Sequence, residues 1–462
     1  MRLSRLPCAT ALLAACVLVK AEIIVDLDDS SSIRSAASTV AYDMMSYYSG
    51  NTSGGIIGVL PGPPPNPADG YYWWESGAMW GTLVDYWHYT GDSSYNDVLQ
   101  AGVLAQVGEN KDMMPSNWSQ SMGNDDQGFW GMTVMAMAEA KFPDPPEGQP
   151  GWLELAQAVF NTQNDNKGHD DACGGGLRWQ TQSYLTGYDY KNSIANGCFF
   201  NIGVRLARYT NNDTYAQIAL KSYDWVQSIG LMDATFKVYD GAHITTNCTD
   251  VNKVQFSYNV AIFLLGAANM YNYTTDDQRL YWKTQVDGLL GATLEVFFPN
   301  GIAYEVACEP QLTCTTDMFS FKAYLLRWMA TTAILAPYTA DQILPVLRTS
   351  AVAAAKQCTG GTNQRACGLS WASGTFDGET GVGQEMATLA AMFVNLQALE
   401  TIVPPLTNAT GGTSQGNVNA GVNVNNDLTT TTPATTADRA GAGIVTTIVL
   451  VSVSGMFGWM SI

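Results

Sequence analysis

Histidine is scarce: the chain of 462 residues holds three, His88, His169 and His243, each isolated from the others. A multi-histidine metal centre or a Ser-His-Asp triad therefore has little to draw on. No two cysteines stand at C-x-x-C spacing, and Asp165, Asp170 and Asp171 lack EF-hand spacing, so neither a cysteine nor a calcium-loop metal site is expected. Gly174-Gly175-Gly176 has no following Lys-Ser/Thr and is not a phosphate loop. Basic residues are also few, 22 Lys and Arg against 41 Asp and Glu, which argues against nucleic acid as a partner. Strand signals are confined to Ile302-Ala303-Tyr304-Glu305-Val306 and Lys237-Val238-Tyr239, read as loop hairpins. Nothing in this inventory calls for a cofactor, and a monomer is expected.

The two ends carry apolar stretches that read as processing signals. Arg2 and Arg5 precede an apolar stretch from Leu6 to Val19, which reads as a secretory leader over residues 1–21. Ile444 to Ile462 is almost wholly apolar with no basic residue after it, and it follows a Thr, Asn and Gly-rich segment. That order resembles a removed signal for a lipid (GPI) anchor attached between Asn417 and Thr436. The formal charge of −19 becomes −22 once Arg2, Arg5 and Lys20 leave with the leader. The expected organisation is one domain over 22–404, a linker with the attachment region over 405–443, and a tail over 444–462. The expected destination is the outer face of the plasma membrane and the cell wall. Cysteine usage fits secretion. Cys308 with Cys314 and Cys358 with Cys367 would close short loops, Cys173 pairs with Cys248, and Cys198 is left as a buried thiol. Sequons at Asn51, Asn117, Asn212, Asn247, Asn272 and Asn408 point the same way.

Between the ends, helical segments alternate in two kinds. Ser30–Tyr48, Ser93–Gly108, Gly151–Asn164, Asp213–Ile229, Asp276–Phe297 and Ala340–Lys356 are amphipathic. Trp74–Tyr89, Asp125–Ala140, Asn192–Tyr209, Phe256–Tyr271, Met318–Leu335 and Gly383–Ile402 are apolar nearly all round. A helix apolar on every side must be buried, and one with a polar face can cover it. Six of each, taking turns at a roughly regular spacing, predict an all-α (α/α)6 barrel. The long connections all precede an inner helix, so a cleft is expected at the inner helices' N-terminal ends.

One stretch there carries chemistry. Asn124 is a suitable N-cap and Gln127 stands three residues on, which places Asp125 and Asp126 in a first helical turn. Acidic residues are favoured at that position by the helix dipole in any protein, and Asp28-Asp29, Asp170-Asp171 and Asp276-Asp277 are further pairs. The flanking Trp118 and Trp130 and the glycines at 123 and 128 set this pair apart. Two carboxylates about 5 Å apart suffice for a retaining glycosidase, one attacking and one donating a proton. Aromatic and amide side chains on the same face suit sugar rings and hydroxyls: Trp73, Trp74, Trp130, Trp179, Tyr190, Asn192, Asn196, Tyr258, Asn259 and Tyr304. Glu75, Glu305, Glu379 and Glu385 either bond hydroxyls or pair structurally.

The strings Asn124-Asp125-Asp126-Gln127-Gly128-Phe129-Trp130, Cys173-Gly174-Gly175-Gly176-Leu177-Arg178-Trp179 and Tyr190-Lys191-Asn192-Ser193-Ile194-Ala195-Asn196-Gly197 closely resemble fungal members of glycoside hydrolase family 76. These are GPI-anchored cell-wall proteins described as mannan endo-1,6-α-mannosidases. The resemblance spans about residues 24 to 404. It implies an (α/α)6 barrel, α-1,6-linked mannose as substrate and retention of configuration, with Asp125 as nucleophile and Asp126 as acid/base. It further implies a role in wall assembly, in which the mannose of a GPI glycan is cut and the protein passed to wall glucan. Cys198 departs from the pattern, where an aliphatic residue is expected. The rival reading is a wall lectin or scaffold that kept the cleft without turnover.

Overall fold

The computed structural model describes residues 23–65, 67–165, 168–422 and 446. The expected leader over 1–21, the tail over 444–462 apart from residue 446, and most of the attachment region lie outside the described residues. The compact unit ends at Val422.

All twelve helices read from periodicity are present. The inner set is α2 (Trp73–Thr90), α4 (Asn124–Glu139), α6 (Ser193–Thr210), α8 (Ser257–Tyr273), α10 (Phe321–Leu335) and α12 (Val382–Phe393). Each packs on the next, and α12 returns to α2, so the ring closes. The outer set is α1 (Ser30–Met45), α3 (Asn96–Ala105), α5 (Trp152–Asp165), α7 (Asp213–Ser228), α9 (Asp276–Phe297) and α11 (Ala340–Ala355). Burial follows the sequence pattern. In α6 every residue from Ser193 to Tyr209 is buried, whereas α9 buries Trp282, Val286, Leu289, Leu290, Thr293 and Phe297 along one stripe and leaves the other face wet. The last inner helix is shorter than expected and passes into a 3-10 turn at Val394–Ala398.

Strand pairing falls elsewhere than expected. β1 (Tyr190–Asn192), β2 (Gly241–His243) and β3 (Val251–Asn252) form an antiparallel sheet with Lys191 opposite Ala242. The Ile302–Val306 segment is irregular, and Val238 makes only an isolated bridge to Met232. Disulfides join Cys173 to Cys248, Cys308 to Cys314 and Cys358 to Cys367. Cys198 is a buried free thiol that lies against Gly128 of α4, where a small side chain is what fits.

Residues 405–422, read from composition as linker, instead run along the barrel wall. Leu406 N–H donates to Glu139 O and Asn408 N–H to Tyr209 O. Further on, Asn417 N–H donates to Gln157 Oε1, and Asn161 Nδ2 donates to the carbonyls of Val418 and Ala420. Ser414 stands in a G-x-S-x-G string, yet its Oγ accepts the Leu153 N–H at the start of α5, so it acts as a cap and not as a nucleophile elbow. Small polar residues carry no strong helix or strand signal, and their backbone groups find partners only on a neighbouring surface.

Candidate active site

The helix carrying the aspartate pair starts one residue earlier than its capping pattern suggested. Gly123 is the N-cap, with extended φ and ψ of −85° and 162°, and Asp126 is the third helical residue. Asp126 Oδ2 reaches back to accept the Gly123 N–H at 2.7 Å, the reciprocal bond that the sequence had assigned to Gln127. Asn124 and Gln127 are buried instead. Asn124 Nδ2 donates to Arg178 O at 2.9 Å and Gln127 Nε2 to Asp112 O at 2.8 Å, so both tie α4 to neighbouring loops. Asp125 is 8% exposed. Its Oδ1 accepts the Asp126 N–H and its Oδ2 accepts Asn192 Nδ2, both at 3.1 Å. A Cβ on residue 123 would stand 2.2 Å from Asp125 Oδ1 and 3.2 Å from the Trp179 ring, which is why glycine occupies the cap.

A cleft of about 260 Å³ opens over this turn. It gathers Trp74, Asp125, Asp126, Trp179, Tyr190, Asn192 and Tyr258 from the residues the sequence suggested. It also contains Asp240 and Asp317, with Phe129, Phe256, Met318 and Phe321 forming its apolar walls. Trp74 Nε1 donates to Asp317 Oδ1 at 3.2 Å, and Tyr190 OH donates to Asp240 Oδ2 at 2.6 Å. Tyr258 stacks on Phe321 with centroids 3.9 Å apart. The two additional aspartates stand alone in long loops, and only their place before an inner helix could have drawn attention to them.

Five expected residues do not line the cleft. Trp73 points into the wall, where Nε1 donates to Gln106 and its ring stacks on Trp130 at 5.1 Å. Trp130 is wholly buried there. The Asn196 amide is consumed by both backbone groups of Leu177, Asn259 is buried within α8, and Tyr304 lies half-buried in the loop after α9. Among the acids left open, Glu75 accepts the Tyr72 N–H, Glu305 accepts from Ser257 and Glu385 accepts from Cys367. All three are buried, and none lines the cleft.

The electrostatics follow from crowding carboxyls in a dry site. Burial pushes Asp125 up to about 7, against the Asn192 hydrogen bond that lowers it. Burial, and then the charge on Asp125, drive Asp126 well above its ordinary range although it opens partly to the cleft. Burial lifts Asp317 to about 6, and Glu75 is raised by burial and by Asp317. Among the described residues, no lysine or arginine lines the cleft. Like charges this close cannot all ionise, so the site holds a mixture of carboxylate and carboxylic acid near neutral pH.

The family model described as glycosyl hydrolase family 76 matches residues 32–409. The chain belongs to glycosyl hydrolase family 76. It is therefore a glycoside hydrolase, and the ring of six inner and six outer helices is the fold of its family. It is 44% identical over 437 residues to the mannan endo-1,6-alpha-mannosidase DCW1 of Saccharomyces cerevisiae, covering 94% of each chain. Among solved structures, it is 53% identical to Dfg5 from Chaetomium thermophilum in complex with glucosamine, with a TM-score of 0.83, covering 86% of this chain and 97% of that one. It also matches an inactive variant of the α-1,6-mannanase of Salegentibacter sp. HEL1_6, bound to α-1,6-mannotriose. There the identity is 17% and the TM-score 0.63, over 80% of this chain and 99% of that one, a likeness of fold alone.

Proposed function

We propose that this family 76 enzyme cleaves α-1,6-linked mannose within a chain, with retention, through Asp125 as nucleophile and Asp126 as acid/base. The observation that carries the reading is the neighbouring pair at the start of α4, in which the Asp125 carboxylate is held by the Asp126 N–H and the Asn192 amide while Asp126 opens to the cleft and accepts the Gly123 N–H. Asp125, whose carboxylate accepts two hydrogen bonds, attacks the anomeric carbon as the bond to the leaving 6-oxygen breaks, and Asp126 passes its proton to that oxygen. A water or sugar hydroxyl then returns a proton to Asp126 while its oxygen displaces Asp125. Two inversions restore the starting configuration. The mannan substrate is supported by the names of the fungal relatives. A glycan bearing an amino sugar, such as a GPI core, is supported by the acidic cleft with Asp240 and Asp317 and by the glucosamine complex of the Chaetomium protein. In this reading the protein acts at the plasma membrane and cell wall through a lipid anchor, with wall glucan as an acceptor.

The test incubates the soluble domain with α-1,6-mannan oligosaccharides and GPI-core glycans, with and without glucan acceptors. Shorter or hybrid products with α configuration are expected. Binding without any product would favour the lectin, and an inverted product would end the two-step mechanism. Role assignment uses an activated mannoside and intact mass. Asp126→Ala should accumulate a covalent adduct and Asp125→Ala should not, and the opposite pattern would exchange the roles.

A further inference from the structure

Directly behind the cleft lies a lysine the proposed chemistry does not use. In β1 successive side chains point to opposite faces, so Tyr190 and Asn192 face the cleft while Lys191 points away, into the loop of residues 170–176. Lys191 is 0% exposed. Its ammonium donates to Asp170 Oδ1 at 2.9 Å and to the carbonyls of Ala172, Gly175 and Gly176 at 2.9, 2.7 and 2.9 Å. A buried ammonium is costly unless its donors are used, and here oxygens exceed donors. Gly174, Gly175 and Gly176 all have positive φ, at 74°, 126° and 76°, a backbone path that brings the Gly175 and Gly176 carbonyls onto the same point as that of Ala172. Asp170 also accepts Arg178 Nε at 2.6 Å, and Arg178 Nη1 reaches Tyr188 O at 2.7 Å. The loop is pinned to α4 by the bonds from Asn124 to the Arg178 and Trp179 carbonyls.

Resting on the reading of Asp125 as nucleophile, we infer that Lys191 is a positioning residue. Its caged ammonium locks β1 to the 170–176 loop and so holds the Asn192 amide on Asp125 Oδ2. The glycine string and the Tyr-Lys-Asn string are thereby one device, a clamp behind the cleft, with Asp170 as its counter-charge. Asp171, Arg178 and His169 are the other ionisable groups around the ammonium. Around Asp125 they are Asp126, Asp317, Tyr258 and Cys198.

The test compares wild type with Lys191→Met, Asp170→Asn, Asn192→Ser and the Lys191→Met/Asn192→Ser double variant. Serine keeps the N-cap of α6 but is too short to reach Asp125. Two readouts are taken: the acid limb of the pH–rate profile on a mannan oligosaccharide, and titration of Asp125 by carboxyl carbon NMR, identified through its loss in Asp125→Asn. Losing a hydrogen bond to a carboxylate raises its pKa, so Asn192→Ser should move both readouts up by about one pH unit. Lys191→Met should reproduce that displacement, the double variant should add nothing to it, and Asp170→Asn should give a smaller shift of the same sign. Folded Lys191→Met or Asp170→Asn protein with Asp125 titrating as in wild type would overturn the inference, as would an unmoved Asp125 in Asn192→Ser. If Lys191→Met does not fold, Asp170→Asn decides by the same criterion. If wild type has no activity on mannan, the proposed function fails while the NMR titration still decides the role of Lys191.

Discussion

Lowering the pH from 7 to 5 should make this protein more stable, because two carboxyls are buried in the barrel wall away from the cleft. Glu305, in the loop ahead of α10, accepts from Ser257 at the start of α8, and Glu385, near the start of α12, accepts the Cys367 N–H. Burial lifts each to about 8. A group whose folded pKa exceeds its unfolded value contributes stability that is fully present below the unfolded pKa and lost as pH rises through the folded one. For a glutamate moving from 4.5 to about 8, the loss between pH 5 and 7 is about 2–3 kcal/mol, so roughly 5 kcal/mol for the pair. At about 2.1 cal/mol/K of unfolding entropy per residue and roughly 400 ordered residues, that is ~6 °C in Tm. Asp125, Asp126 and Asp317 push in the same direction. Opposing them, Glu400, held down to about 2 by Arg34, and Asp170, held down beside Lys191 and Arg178, lose their contribution only as pH falls below about 4. Calorimetric melts from pH 4 to 8 should therefore peak near pH 4–5, and Glu305→Gln/Glu385→Gln should remove the pair's ~6 °C from the rise between pH 7 and 5, leaving the part contributed by the cleft acids. A Tm that is flat or falls from pH 7 to 5, or an unchanged slope in the double variant, would refute the reasoning.

Gly123→Ala should keep the fold and lose the reaction: its methyl would stand 2.2 Å from Asp125 Oδ1, and a displacement of about 1 Å at a reacting group costs on the order of 100-fold in kcat. Unchanged circular dichroism with kcat within tenfold of wild type would contradict this. Ending the chain at Pro404 rather than Val422 should cost about 1–2 kcal/mol, since the Leu153 and Glu154 N–H groups at the start of α5 lose Ser414 Oγ and Gln415 O. Hydrogen exchange should quicken at those two amides first, and equal protection in both chains would show that the strap carries no load.

The order of helices was legible because each kind writes its environment into its period. α9 repeats its apolar residues every three or four positions, and α6 has almost no polar side. Placement of Asp125 and Asp126 in a first turn followed from the same local signals, although the cap proved to be Gly123 and its reciprocal partner Asp126. The disulfide pairs agreed with expectation too, two as short loops between nearby cysteines and Cys173 with Cys248 as the third, which leaves Cys198 in its apolar helix.

Which side chains reach the cleft was decided by the tertiary structure. Trp73 and Trp74 are neighbours with the same chemistry, yet about 100° of helical rotation separates them, and one stacks in the wall while the other bonds Asp317. Asn192 and Asn196 lie one turn apart, but the 177 loop folds over the second and uses up its amide. Asp240 and Asp317 stand more than a hundred residues from Asp125, and they join it only because the ring of inner helices closes and brings the loops before α8 and α10 to the same mouth. The strap after Pro404 has no periodicity to read, and its order comes from the donors and acceptors that α5 presents. Local periodicity is a property of neighbouring residues, so the chain fixes it alone. Burial and partnership in a loop depend on what distant segments lay across it, and in this protein that was settled by closure of the barrel.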